Sequence, residues 1–153
     1  MIDCTFELNN EPMSKFKCYG FAFPAFSGSK NYVNKRSAAC VAGVGPIPPR
    51  TYYIVDRESG GRLAALRDLW HGRTDWFALY ADDGIIDDVT FCDKVARGEF
   101  RLHSKGMLGI SKGCIAINEK IDFYRLRDIF KSTNKIEVEG SVGLFAYGKV
   151  HAW

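Results

Sequence analysis

Long apolar runs are missing from this chain. The longest, around Gly20–Phe26 and Cys40–Val44, are far too short to cross a bilayer, so no membrane span is expected. The N-terminus, Met1-Ile2-Asp3-Cys4, has neither the basic start nor the apolar core of a signal peptide. Histidine is scarce, at three residues, and no two cysteines form a Cys-x-x-Cys pair. That argues against a structural zinc site, and no metal is expected. An excess of one charge is lacking too. Lys and Arg total 21 against 18 Asp and Glu, a net +3 scattered along the chain, which does not describe a nucleic-acid surface. No repeat, low-complexity tract or linker divides the sequence, so one domain is expected over residues 1–153. What is present, 46% hydrophobic and 25% charged residues, is the composition of a folded globular domain and excludes intrinsic disorder.

Five cysteines, Cys4, Cys18, Cys40, Cys92 and Cys114, make an odd set, so at least one thiol is unpaired or pairs between chains. A chain of this length can bury a core without a disulfide framework, and the expectation is reduced, mostly buried thiols. Cys4 and Cys18 are placed to face each other across a hairpin turning near Asn9–Pro12. Two reduced thiols are favoured there over a bridge.

The patterning is mainly β. Strands are expected at Cys4–Leu8, Phe16–Phe23, Tyr52–Asp56, Trp76–Tyr80, Val89–Cys92, Glu99–Leu102, Ile136–Glu139 and Leu144–His151. Gly45-Pro46-Ile47-Pro48-Pro49 cannot be a central strand, because three of its residues lack an N–H. Leu63, Leu66, Leu69 and Trp70, closed by Gly72, predict a short helix. A second is predicted from an Asn118 N-cap to about Ser132, with Phe123, Leu126, Ile129 and Phe130 on one face.

The chemistry concentrates in residues 101–117. His103 ends one apolar segment, Cys114 begins another, and a Gly-rich excursion between them can bring the two together. An imidazole beside a thiol can take its proton, so the Cys114 thiol is expected to titrate below the free value of about 8.5, and the thiolate is the nucleophile. The same imidazole can then protonate a leaving amine. Gly113, lacking a Cβ, lets backbone approach a substrate carbonyl. The N–H groups of Gly113 and Cys114 are candidates for an oxyanion hole, worth about 2.7–4 kcal/mol per donor. Against this stands the plainer alternative that Cys114, between Gly113 and Ile115, is a core thiol.

His103, the spacer, and Ser111-Lys112-Gly113-Cys114-Ile115 resemble the signature of the YkuD-type L,D-transpeptidases. A closer resemblance is to the Tlde1 family of L,D-transpeptidase-like type VI secretion effectors. Arg101-Leu102-His103 and Ser111-Lys112-Gly113-Cys114 fit its motifs. So do Phe26-Ser27-Gly28, Gly45-Pro46-Ile47-Pro48 followed by Tyr52 and Tyr53, and Tyr147-Gly148-Lys149-Val150. The resemblance implies a mainly β, YkuD-like sandwich or barrel with one or two helices and no cofactor. It implies an antibacterial L,D-carboxypeptidase or D-amino-acid exchange enzyme acting between meso-diaminopimelate and D-Ala of peptidoglycan tetrapeptide stems. Cys114 would be the nucleophile and His103 the base, with the Ser104 carbonyl orienting the imidazole. The implied partners, besides those stems, are a cognate immunity protein and the type VI apparatus. The lack of a signal peptide fits a protein made in the cytoplasm, injected, and active in the target-cell periplasm.

Two departures matter. Lys112 stands where typical L,D-transpeptidases have a second His, and the eleven-residue step from His103 to Cys114 is short for them. Arg101, two residues before His103, faces the same side of a strand and is read as a clamp for the D-Ala carboxylate. Lys112 is read as a point charge for that carboxylate, and Ser111 as a support of the loop. Tyr32, Tyr52, Tyr53, Trp76 and Tyr80 are candidates to line a groove, with core packing the alternative. His71 reads as a helix C-terminal residue, and His151 has no evident partner. The rival readings are a papain- or NlpC-like cysteine peptidase, disfavoured because His103 precedes Cys114, and a catalytically inactive wall-binding module.

Overall fold

The computed structural model describes residues 1–57, 75–106, 109 and 111–153. Among them, eleven strands and one α-helix follow in the order β1 (Ile2–Phe6), β2 (Ser14–Cys18), β3 (Phe21–Ser27), β4 (Arg50–Asp56), β5 (Phe77–Ala81), β6 (Val89–Cys92), β7 (Val95–Gly98), β8 (Arg101–Ser104), β9 (Ile115–Ile117), α1 (Lys120–Lys131), β10 (Ile136–Glu137) and β11 (Phe145–Ala152). Eight of them close a ring, β1-β2-β3-β9-β8-β5-β4-β11, because β11 pairs in parallel with β1 as well as antiparallel with β4. The fold is mainly β, an eight-stranded barrel with one helix among the described residues. The helix expected at 63–70, and His71 with it, lies outside the described residues.

Alternation builds the barrel interior. Cys4, Phe6, Phe16, Ile54, Phe77, Leu79, Leu102, Ile115 and Ile117 are buried in one cluster, and Cys4 and Phe6, Phe77 and Leu79, and Ile115 and Ile117 are two residues apart on their strands. Helix α1 adds Phe123, Leu126 and Phe130 from one face, as its spacing predicts, with Ile129 partly buried beside them. Phe77 sits edge-on to Phe130 at 5.1 Å and to Tyr147 at 5.6 Å, which fastens the helix to the wall. The N-cap is Glu119, one residue past the expected Asn118, and no side chain caps the helix.

The expected strand Phe16–Phe23 is two strands. Tyr19 and Gly20, with φ of +53° and +82°, form a two-residue turn that pairs Cys18 with Phe21. Both central residues of a type I′ turn need positive φ, and only the second is glycine here, which hides the signal. β7 was not expected at all; Arg97 interrupts its apolar pattern. Gly45–Pro49 is irregular, as its prolines require.

The disulfide expectation needs correcting. Cys40 and Cys92 form a disulfide that ties the turn before the Pro-rich segment to the β6–β7 hairpin. The two lie 52 residues apart, and no local pattern could pair them. Cys4 and Cys18 do face each other in the β1–β2 register and are both free and buried. The hydrogen bond to Cys18, with burial, pushes the Cys4 thiol far up.

Candidate active site

β8 and β9 are parallel neighbours, with Leu102 opposite Ile115 and His103 opposite Ala116. Leu102, Ile115 and Ile117 point into the barrel, so Arg101, His103, Cys114 and Ala116 belong to its outer face. One residue beyond the paired register, Cys114 comes beside Arg101, with His103 on the diagonal. The Gly-rich excursion therefore brings its ends together, and Cys114 and His103 share one face.

The imidazole is held from two sides. His103 Nδ1 donates to the Ser104 carbonyl at 2.7 Å. A carbonyl oxygen carries no proton, so the hydrogen sits on Nδ1, and in the neutral imidazole the lone pair is on Nε2. The Trp76 indole lies parallel to the ring at 4.1 Å between centroids, and the Arg57 guanidinium covers Trp76 at 5.4 Å. Trp76 is thus a wall of the site. Tyr52 is buried in the barrel core, Tyr53 belongs to a second apolar cluster outside the wall, and Tyr80 packs beside that cluster. Tyr32 is exposed, and His151 shares a hydrogen bond with Thr51 at 2.8 Å.

The loop before β9 is braced from within. The Ser111 hydroxyl donates to the Cys114 carbonyl at 2.5 Å. The Ser27 hydroxyl reaches the Gly113 carbonyl at 3.4 Å and itself accepts the Ile47 N–H at 2.8 Å. Gly113 has a φ of +100°, and a Cβ there would come within 2.6 Å of the Arg97 guanidinium and 2.8 Å of the Phe100 ring. Arg97 is buried and donates to the carbonyls of Ala39, Gly45 and Pro46, so it packs the Pro-rich turn against the back of Gly113. Sequence reasoning missed Arg97, whose partners are carbonyls more than fifty residues away. Lys112 is exposed.

Burial pushes the Cys114 thiol up, partly offset by the backbone N–H and the charge of Arg101. At rest it donates to the Glu99 carbonyl at 3.8 Å. The sequence pattern suggested a depressed thiol pKa; the desolvated setting points the other way, to a neutral resting thiol. Arg101 also differs from expectation. Its guanidinium grips both oxygens of Asp88, at 2.7 and 2.6 Å, and donates to the Phe100 carbonyl at 2.8 Å. The fork read as a carboxylate clamp already holds a carboxylate. Among the described residues no cluster of His, Cys, Asp and Glu is set to hold a metal ion. Nor is any helix among them long and apolar enough to cross a membrane.

The family model described as the Tlde1 domain matches residues 22–141. No curated protein and no solved structure matches the chain.

Proposed function

This chain belongs to the Tlde1 domain family, which fits a type VI effector, and from that premise we propose a cysteine-dependent L,D-carboxypeptidase or D-amino-acid exchange enzyme of peptidoglycan. One observation carries the reading: Cys114 and His103 share an outer face of adjacent strands, with the imidazole oriented through Nδ1 by the Ser104 carbonyl.

In this reading His103 Nε2 takes the thiol proton as sulfur attacks the carbonyl of meso-diaminopimelate in a tetrapeptide stem. A C–S bond forms, and the carbonyl π electrons move to oxygen, which as an oxyanion accepts hydrogen bonds from the N–H groups of Gly113 and Cys114. Collapse breaks the C–N bond, and the imidazolium returns its proton to the amine of the departing D-Ala. Water, a D-amino acid or another stem's amine then attacks the thioester. His103 takes the proton of that nucleophile and passes it to the departing thiolate, which restores the enzyme. Because burial holds the resting thiol neutral, proton transfer belongs to the encounter with substrate rather than to a standing ion pair. Lys112, exposed on the loop, supplies a point charge for the stem carboxylate.

The same reading places synthesis in the cytoplasm, delivery by the type VI apparatus, action in the target-cell periplasm, and a cognate immunity protein as partner. The test is mass spectrometry of muropeptides after incubation with the protein. Tetrapeptides should lose D-Ala or exchange it for an added D-amino acid. Unchanged muropeptides under both conditions would refute the reading.

A further inference from the structure

We propose that Asp88 is a positioning residue for Cys114, acting through Arg101. The inference rests on the reading of Cys114 as the reactive thiol.

Asp88 lies just before β6, and Arg101 begins β8. The β6–β7 hairpin between them folds back so that the two meet. Its register pairs Val89 with Gly98, and the Glu99 N–H donates to the Asp88 carbonyl at 3.0 Å. The Asp88 backbone is therefore tied to the residue two places before Arg101. Its side chain then meets the guanidinium edge-on, two oxygens against two nitrogens, an arrangement that fixes orientation as well as distance. With Nη1 also donating to the Phe100 carbonyl, the cation has little freedom. The guanidinium is mostly buried, and the carboxylate is about one-third exposed.

The consequence falls on the sulfur. Arg101 is the strand neighbour of Cys114, and its charge and backbone N–H both favour the thiolate. The other charged groups facing the thiol are Asp88 itself, whose charge directly opposes the thiolate, and Arg57 beyond β4, whose charge favours it; His103 stands on the diagonal, and Tyr80 faces Arg101 from β5. An unanchored guanidinium on a long side chain would swing toward solvent or an incoming carboxylate. Asp88 keeps it at the flank of the sulfur, so that the positive charge is in place when the thiol proton leaves.

The experiment uses the folded full-length chain and iodoacetamide, with the rate of Cys114 alkylation followed against pH. Cys4 and Cys18 are buried and do not compete. Arg101→Met should move the midpoint up by removing the cation. Asp88→Asn should move it in the same direction, slowing alkylation at pH 7 about threefold or more. In the Arg101→Met background Asp88→Asn should add nothing, and Asp88→Glu should recover most of the wild-type profile. A midpoint that falls in Asp88→Asn would mean that the carboxylate only repels the thiolate. An unchanged midpoint would mean that the pair only holds the fold, and either result overturns the proposal. With muropeptides, Asp88→Asn should lower kcat and leave KM unchanged. A lowered KM would instead show Arg101 released to clamp substrate, and would also overturn it. The alkylation profile needs no peptidoglycan turnover, so failure of the proposed function and failure of this inference are read separately.

Discussion

Replacing Cys40 by Ser, alone or with Cys92→Ser, opens a covalent ring whose ends lie 52 residues apart. In the chain-entropy description, a cross-link over a loop of that length restricts the unfolded ensemble by about 4 kcal/mol at 25 °C. Typical domain stabilities are about 5–15 kcal/mol, so this is a large share. The bond also ties the β6–β7 hairpin to the segment whose carbonyls Arg97 grips. Those noncovalent ties remain in the variant, so the native fold should persist while its stability falls. Urea unfolding followed by tryptophan fluorescence is the assay. With a slope of about 1–3 kcal/mol per molar, the midpoint should drop by roughly 1.3–4 M. Reductant should lower the wild-type midpoint by a similar amount and leave the variant's unchanged. Equal midpoints for wild type and variant without reductant would refute the reasoning. So would five alkylatable thiols, rather than the three expected from Cys4, Cys18 and Cys114, in unreduced, denatured protein.

Gly113→Ala forces a Cβ into a left-handed residue and against Arg97 and Phe100. The two penalties together are about 2–5 kcal/mol, so the urea midpoint and the turnover of muropeptides should both fall, and a variant matching wild type in both would contradict the account of the loop. The midpoint of Cys114 alkylation in the wild type should lie above the ordinary value of about 8.5, since burial outweighs Arg101; a midpoint in the acid range would reveal a standing thiolate instead. Burial works against the Asp56 carboxylate, but hydrogen bonds from Lys131, Lys135 and Tyr147 win and hold it below the usual range. A carboxyl lowered by folding adds stability above its unfolded value of about 3.9 and loses it as pH falls through the native value. Asp56→Asn should therefore flatten the acid limb of stability against pH, and an unaltered limb would show that the cluster adds nothing.

Local pattern made much of this fold legible. The strand at Tyr52–Asp56, the final strand and the apolar face of α1 are found at or within two residues of their expected places. The shared face of His103 and Cys114 is legible because a short excursion joins their two segments, whereas the place of the Ser104 carbonyl comes from the family resemblance and not from spacing. What stayed hidden is nonlocal. Closure of the barrel depends on β11 meeting β1 in parallel, with Gly148 opposite Ile2, where any Cβ would overlap the Ile2 carbonyl. Arg97 looks like a solvent-facing strand residue until the carbonyls of Ala39, Gly45 and Pro46 surround it. Asp88 sits in an acidic stretch with Asp82, Asp83 and Asp87, and nothing in that run distinguishes the one that meets Arg101. The Cys40–Cys92 bond is of the same kind, a contact made by the folded chain and not by its spacing.

The central claim is that Cys114 becomes acylated, and intact-protein mass spectrometry tests it most directly. The protein is mixed with a peptidoglycan tetrapeptide and quenched in acid within the first turnovers. The account predicts an adduct equal to the stem without D-Ala, mapped by digestion to Cys114, sensitive to hydroxylamine and absent from Cys114→Ala. Release of D-Ala by the Cys114→Ala protein, or an adduct mapped to any other residue, would contradict it.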